Sequence, residues 1–288
     1  DQICNYIPDN TKVIFDGTLG HGGHAEVILE YYLSKDKRMY DDLTIIGVDR
    51  DEKILEKAKT NLNKYKNKIF YANNSYAEIE EILQKTNIGK VDFFFLDIGV
   101  NMEHFKDGNR GFSIKERGPL DMRFDVRQQK TAESVINGYS EKDLSKIFEL
   151  YGDFNKKTSD YIAQGIIQER KKEKIDTTEK LMKLLDKLHL GIKKVTVIFQ
   201  CIRIEVNDEL KLLQLFLQNF TKYISLKGRC AIISYHSIED RIVKLAFKEL
   251  ESSGKWKTLT KHVIKPTYLE VQKNRAARSA KLRIIENL

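Results

Sequence analysis

Residues 13–24, VIFDGTLGHGGH, join a short apolar run to a glycine-rich turn and then to a helical pattern, AEVILEYYL. The apolar run ends at Asp16, and four glycines follow within seven residues. This order is typical of a strand, a tight turn and a helix N-terminus, where glycines let the backbone approach a ligand that a Cβ atom would exclude. The turn therefore predicts a site for a nucleotide-like ligand, although its glycine spacing does not reproduce the strict dinucleotide fingerprint.

Composition limits the class of protein. At 288 residues, 41% of them hydrophobic, the chain is long enough to bury a substantial core. Its 50 Lys and Arg exceed its 42 Asp and Glu, and the net charge of +8 favours a polyanionic partner. Three distant cysteines without a CxxC argue against a zinc ribbon or a disulfide framework and suit a reducing, intracellular compartment. The longest apolar run is too short to span a bilayer and no secretory signal opens the sequence, so we expect no membrane partner.

Three more strand-and-helix units follow the first. Apolar runs at residues 43–49, 68–72 and 90–97 are separated by helical patterns. Continuous apolar strands separated by helices predict a parallel sheet covered on both faces. The first, second and fourth strands end at Asp16, Asp49 and Asp97. Because the carboxyl ends of parallel strands line the ligand crevice, we expect these three carboxylates to face one site.

The pattern changes after the fourth strand. Residues 98–125 read as a long functional loop, residues 131–190 have helical periodicity without a strand, and sheet-like sequence returns at GRCAIISYHS, residues 228–237. The sequence thus predicts an α/β fold interrupted by a helical insertion. We expect a first part of the α/β domain at 1–105, a helical, substrate-recognition insertion at 106–204, and a second part at 205–288.

Two ligands fit the turn, a dinucleotide and S-adenosylmethionine, since both place glycines after the first strand and an acid after the second. A carboxylate at Asp16 would repel a pyrophosphate but attract the ammonium of a methionine moiety. Asp49 would then accept hydrogen bonds from the ribose, Tyr76 would flank the adenine, and Asp97 would lie near the sulfonium and the acceptor. The residue types therefore favour a methyltransferase over a nicotinamide-dependent oxidoreductase.

Two other constellations have simpler interpretations. His21 and His24, in a glycine turn without a third ligand, do not predict a metal site. His236, Ser237 and Asp240 lie within five residues and cannot readily adopt the geometry of a nucleophilic triad. We expect Ser237 instead to cap the helix that follows.

Five arginines are candidate contacts to RNA phosphates. Three lie in the long loop and two in the C-terminal NRAARSAKLR segment: Arg110, Arg117, Arg123, Arg275 and Arg278. The loop arginines can equally pair with nearby acids, so both interpretations stay open for them. The LRII end of the C-terminal segment predicts a final strand, which leaves its first half as the RNA contact.

Beyond these local patterns, a set of motifs runs through nearly the whole chain: DGTLGHGGH at 16–24, GVDRD at 47–51, LDIGV at 96–100, RGFSIKERGPLDMRFD at 110–125, FQCIRIEVNDEL at 199–210, ISYHSIEDRIVK at 233–244 and NRAARSAKLR at 274–283. In this combination and order, the sequence resembles the small-subunit ribosomal RNA cytosine-N4 methyltransferases of the MraW type, from bacteria and organelles.

The resemblance implies a class I S-adenosylmethionine-dependent methyltransferase, a Rossmann-like sheet with an inserted all-helical domain. By position it implies a cofactor-binding set that comprises Asp16, Gly20, Gly22, Gly23, His24, Asp49, Tyr76, Asp97 and His104. Asp97 is also the candidate catalytic residue by position, as acceptor for the amine hydrogen bond, and a neighbouring backbone carbonyl in DIGVN is the alternative acceptor. His104 departs from the family, because many relatives carry glutamine there.

The resemblance also implies the partner. The expected substrate is a cytidine of small-subunit (16S-type) ribosomal RNA, either free or in the assembling small ribosomal subunit, in the cytoplasm or an organelle of bacterial origin. A homodimer is left open. The competing interpretation is an RNA-binding or ribosome-assembly factor that keeps the fold without turnover.

Overall fold

A computed structural model describes residues 2–288 and builds one sheet from seven strands within them. The strands, numbered along the chain, are β1 Val13–Asp16, β2 Thr44–Val48, β3 Ile69–Ala72, β4 Val91–Asp97, β5 Ile224–Ser234, β6 Trp256–Thr258 and β7 Lys281–Asn287. Their order across the sheet is β3-β2-β1-β4-β5-β7-β6. Strands β1 to β5 pair in parallel, whereas β7 pairs antiparallel with both β5 and β6.

The helices within residues 2–288 are α1 Gly23–Lys35, α2 Lys37–Asp42, α3 Glu52–Asn61, α4 Ile79–Thr86, α5 Met102–Lys106, α6 Ala132–Gly138, α7 Glu141–Gly152, α8 Lys156–Arg170, α9 Thr178–Lys187, α10 Ile192–Asn207, α11 Glu209–Asn219, α12 Ser237–Ser252 and α13 Tyr268–Lys273. The predicted parallel strands and the final strand are present, and the predicted fold class is confirmed. The short strand β6 was not predicted, because three residues carry too little periodicity to recognise.

Both faces of the sheet are covered, as the continuous apolar strands require. On β4, Phe94 packs with α4, α11 and α12 on one face, while Phe93 and Phe95 pack with α1 and α3 on the other. All three rings are fully buried. Successive side chains of a strand point to opposite faces, so the FFF run supplies both halves of the core.

The chain divides into two compact units. One comprises residues 1–99 and 211–288 and contains the sheet, and the other comprises residues 100–210 and is helical. The sequence predicted the divisions at 105/106 and 204/205, six residues inside these limits at each end. The difference arises because α5 and the last turn of α10 pack within the helical unit, where Val206 belongs to its core.

Asn207, in the FQCIRIEVNDEL motif at 199–210, links two segments of the helical unit. Its fully buried side chain accepts a hydrogen bond from the Phe124 N–H and donates to the carbonyls of Met122 and Arg203. One amide thereby ties the end of α10 to the GPLDMRFD segment, 85 residues away in sequence. The two motifs are therefore joined by hydrogen bonds in the folded helical unit.

Asn207→Ala is expected to destabilise the protein by about 2–3 kcal/mol, because three backbone groups lose a hydrogen bond to the Asn207 side chain, and the bond to the Met122 carbonyl is fully buried. Thermal and urea unfolding measure this loss. Asn155→Ala, which removes the side-chain cap of α8 at an exposed position, is the comparison and is expected to cost about 1 kcal/mol. An equal or smaller loss for Asn207→Ala would contradict the buried network.

Candidate functional site

The glycine turn after β1 is fastened to the neighbouring strands by backbone hydrogen bonds. The Gly17 N–H donates to the Phe95 carbonyl at 2.9 Å, and the Gly20 N–H donates to Asp49 Oδ2 at 2.9 Å. The second Asp49 oxygen accepts the Asp51 N–H at 2.9 Å. The turn therefore lies between the carboxyl ends of β4 and β2, where the sequence predicted the ligand crevice.

Gly22 and Gly23 differ in what surrounds the position of a Cβ atom. Gly22 has a φ of +87°, and a Cβ atom there would lie 2.4 Å from Leu62 Cδ1, so a side chain is excluded both by backbone conformation and by packing. A Cβ at Gly23 would meet nothing within 4 Å. The first residue of α1 thus borders open space, and a ligand can approach its backbone.

Asp16 is the buried acid of this site. Only 1% of its surface is exposed, and Oδ1 accepts the Thr18 N–H at 3.2 Å. Oδ2 is also buried and has no hydrogen-bond partner within residues 2–288. Burial raises the pKa of Asp16 from 3.8 to about 7, and the charges of Asp97 and Asp49 add to the rise. An orphaned acceptor of this kind is stabilised by a cationic ligand.

Asp97, at the end of β4, is held from three sides. Its backbone N–H donates to Thr18 Oγ1 at 2.6 Å, and its Oδ1 accepts the Tyr235 hydroxyl at 2.8 Å. Its Oδ2 lies 3.7 Å from Nδ1 of His24, whose ring contacts Phe95 edge-on. Burial raises the pKa of Asp97, whereas His24 and the Tyr235 hydrogen bond lower it. The carboxylate is oriented, partly exposed and more basic than an ordinary aspartate.

Tyr235 is a site residue that sequence reasoning missed. It follows β5, and the backbone N–H of Tyr235 donates to the fully buried carboxylate of Glu239 at 3.0 Å. Burial, followed by the charge of Asp97, raises the pKa of the Tyr235 hydroxyl far above its ordinary value, so it acts as a donor. The partners lie 138 residues apart, and no local pattern links them.

The cap of α12 differs from the prediction. His236, and not Ser237, precedes the helix, and its Nδ1 accepts the Glu239 N–H at 3.4 Å. The Glu239 carboxylate returns to the His236 backbone and lies 2.8 Å from Nε2 of the same histidine. Asp240 binds Arg283. These residues stabilise a helix N-terminus and form no nucleophilic triad.

Tyr235→Phe is expected to lower the rate of a reaction that depends on the Asp97 carboxylate about 3- to 10-fold, the effect of one hydrogen bond of roughly 1 kcal/mol. Without this donor the pKa of Asp97 rises further, so the acidic limb of the pH–rate profile should move to higher pH. Cofactor affinity should not change.

The control for this variant is Tyr71→Phe, which removes a hydroxyl from β3 of the same sheet and should leave the pH profile as in the wild type. An unshifted profile in Tyr235→Phe would contradict a positioning role.

The remaining predicted cofactor residues divide between the two units. Tyr76 lies in the sheet unit, 8% exposed, with its ring edge-on to Phe216 at 5.8 Å. His104 lies in the helical unit, 6% exposed, and its ring packs against Phe112 and Phe124 at 4.9 and 5.1 Å. Their roles toward a cofactor stay predictions. Phe112 is 4% exposed and belongs to the core of the helical unit.

The loop arginines separate into two groups. Arg110 is 7% exposed and donates to the carbonyls of Arg123 and Phe124, which favours a structural role, and its contact to an RNA phosphate stays a prediction. Arg123 forms a two-pronged ion pair with Asp121, one of the alternatives left open by the sequence.

Arg117 has a side chain that is 79% exposed, and Arg275 and Arg278 are also exposed. These three stay candidate RNA contacts.

The structure was also searched for metal-binding clusters and for membrane-spanning helices. Among residues 2–288, no group of three His, Cys, Asp or Glu side chains is placed to hold a metal ion. Over the same residues, no helix has both the length and the apolar character needed to span a membrane.

The strand order, the antiparallel β7, the glycine turn and the carboxylates at the ends of β1, β2 and β4 together define a class I α/β methyltransferase. Within that class the chain belongs to the MraW methylase family, whose sequence model matches residues 1–288.

The chain is similar to several curated proteins named ribosomal RNA small subunit methyltransferase H. It is 38% identical to the protein of Brachyspira hyodysenteriae, over 100% of this chain and 94% of that protein. It is 39% identical to the protein of Kosmotoga olearia, over 100% and 95%. Among solved structures, an rRNA methylase of Streptococcus thermophilus aligns over 100% of this chain and 93% of its own, with a TM-score of 0.41 and 10% identity.

Proposed function

We propose that this chain transfers a methyl group from S-adenosylmethionine to the N4 amine of a cytidine in small-subunit ribosomal RNA. Membership of the MraW methylase family supports methyl transfer, and the names of the relatives support the small ribosomal subunit as substrate. The proposal places the protein where small subunits are made, the cytoplasm of a bacterium. The oriented carboxylate of Asp97 is the single observation that carries the choice of an amine acceptor.

The residues of the sheet unit fit this cofactor. Asp16 offers an unsatisfied buried acceptor to the ammonium, the Asp49 carboxylate at the end of β2 is the acceptor for the ribose, and Gly23 leaves space beside its backbone. Three carboxylates near one another suit a cation better than a pyrophosphate. When bound, S-adenosylmethionine supplies a methyl group that is electrophilic because it is attached to a sulfonium.

The protein's own contribution is orientation and proton acceptance. The exocyclic amine of cytidine is a weak nucleophile because its lone pair is delocalised into the ring. Asp97, fixed by Tyr235 and Thr18, accepts one N–H hydrogen bond and thereby favours the geometry in which the lone pair attacks in line. The raised pKa of Asp97 then suits it to take the proton that the amine loses.

The function is tested in two steps. Calorimetry compares the affinities for S-adenosylmethionine and NAD, and labelled methyl transfer follows, with unmodified small ribosomal subunits and with free 16S-type RNA as substrates. Digestion to nucleosides and mass spectrometry should find the label in N4-methylcytidine. Label in any other nucleoside would overturn the N4 assignment, and cofactor binding without any transfer would overturn the enzyme itself.

A further inference from the structure

The C-terminal region contains a loop of residues 265–280, which includes α13, and both ends of this loop are fixed to the sheet. Ile264 and Leu282 exchange two backbone hydrogen bonds, of 3.1 and 2.9 Å, just outside the loop. Lys281 begins β7 and pairs with Ser234, the last residue of β5. The loop therefore leaves from and returns to the carboxyl edge of the sheet.

This edge also carries the reaction site of the sheet unit. Asp97 pairs with Ile233 across β4 and β5, one residue before the Ser234 position at which the loop rejoins the sheet. The charge of Glu270, on α13, is among the causes that raise the pKa of Tyr235, the donor to Asp97. The loop thus lies beside the Tyr235–Asp97 pair.

The loop is basic and exposed. It contains four cations and one acid, Glu270, for a net charge of +3. The cations are exposed and are Lys265, Lys273, Arg275 and Arg278. By contrast, Lys281 and Arg283 just beyond the loop both bind Asp240 and serve the fold. The cations of the loop are therefore available to a polyanion.

An aromatic side chain stands among these cations. Tyr268 is 75% exposed and the adjacent Leu269 is 67% exposed, although each carries a large apolar surface. The backbone around them is ordered: Thr267 caps α13, Asn274 caps the next turn, and Ala277 is buried. These contacts hold the backbone that carries the ring, which lowers the entropic cost of ordering the loop on binding.

Exposed aromatic rings interleaved with cations are the usual means of holding single-stranded nucleic acid, with stacking on bases and ion pairing to phosphates. We propose that the loop 265–280 is a contact surface for single-stranded substrate RNA. In this proposal Lys273, Arg275 and Arg278 bind phosphates beside the target nucleotide, and Tyr268 stacks on a neighbouring unpaired base. The proposal rests on the proposed function for the identity of the RNA.

The test compares four variants with the wild type in binding to unmodified small ribosomal subunits and to free 16S-type RNA over a range of salt concentrations. Tyr268→Ala should weaken RNA binding by about 5- to 100-fold, and Tyr268→Phe should remain within about twofold of the wild type, because stacking needs the ring and not the hydroxyl. Arg275→Ala with Arg278→Ala should lower the salt slope of binding by about 1.4, the value for two phosphate contacts to a single strand.

The matched control is Lys255→Ala with Lys257→Ala. These two exposed cations lie in and beside β6, which pairs with the C-terminal end of β7. They therefore lie at the edge of the sheet formed by the amino ends of the parallel strands, whereas the loop 265–280 lies at the carboxyl edge. The control should keep the wild-type affinity and salt slope. All four variants should keep the wild-type affinity for S-adenosylmethionine and the wild-type melting temperature.

Because binding is measured apart from turnover, failure of this inference differs from failure of the proposed function. If the wild type methylates the RNA but Tyr268→Ala and the double arginine variant bind as it does, the surface is wrong and the function stands. If the wild type transfers no methyl group, the function is wrong, and the same salt titrations still decide the surface. Equal losses in the lysine control would also overturn the proposal, since they would reflect net charge alone.

Discussion

Asp97→Asn is expected to lower the rate constant of methyl transfer by about 10²–10³-fold, the loss usually seen when a proton acceptor is removed from a reaction centre. The amide is isosteric and its oxygen can still accept the Tyr235 hydroxyl. It replaces the oxygen that faces His24 by a donor, and it removes the charge and the basicity that burial gives Asp97. Single-turnover assays with saturating cofactor measure this constant directly.

The affinity of Asp97→Asn for S-adenosylmethionine should fall by no more than about fivefold, since one partly exposed charge contributes roughly 1 kcal/mol to binding a cation. A large loss of rate with a small loss of affinity separates a role in the reaction from a role in binding. Losses of equal size would assign Asp97 to cofactor binding alone.

Asp92→Asn is the matched control for this variant. Asp92 lies on the same strand as Asp97 but near its other end, where Oδ2 accepts the backbone N–H groups of Lys12 and Val13. The same chemical change there should leave both the rate and the affinity as in the wild type. A comparable loss of rate in the control would mean that the strand, and not the carboxylate, is the sensitive element.

The parallel part of the sheet could be predicted because each strand is recognised from residues that are neighbours in the sequence. Three of the four apolar runs end in an aspartate, and the first three are followed by a helical pattern, so both the strands and the common edge of Asp16, Asp49 and Asp97 follow from the order of residues. The glycine turn after β1 could be found for the same reason, because the positive φ values at Gly20 and Gly22 favour glycine and the glycines stand close together in the sequence.

The rest of the site depends on contacts between distant residues. Tyr235 reaches Asp97 only because β5 lies beside β4, and the loop 265–280 reaches the reaction edge only because β7 runs antiparallel. No periodicity in the sequence encodes either neighbour. The loop arginines illustrate the same limit. The sequence cannot show that Arg110 is buried against backbone carbonyls or that Arg123 pairs with Asp121, whereas Arg117 is exposed.

Asp16→Asn is expected to make the ligand-free protein more stable at pH 8, by up to about 4 kcal/mol, while weakening cofactor binding. The rise in the pKa of Asp16 from 3.8 to about 7 is roughly three units, at about 1.4 kcal/mol each. Because the folded pKa is the higher one, the stability that Asp16 contributes is present below about pH 4 and is lost as the pH rises through about 7. Asparagine keeps the Oδ1 acceptor for Thr18 and never carries the buried charge.

Urea unfolding at pH 4 and pH 8 measures the stability effect, and calorimetry over the same range measures the cofactor. The difference in unfolding free energy between variant and wild type should be near zero at pH 4 and largest at pH 8. In the wild type the affinity for S-adenosylmethionine should fall as the pH drops below about 7, because protonated Asp16 no longer attracts the ammonium, whereas the variant should bind weakly at every pH. A ligand-free variant less stable than the wild type at pH 8 would contradict a buried charge, and an unchanged affinity would remove Asp16 from the cofactor site. Binding of the cationic cofactor should therefore offset the unfavourable free energy of the buried Asp16 charge.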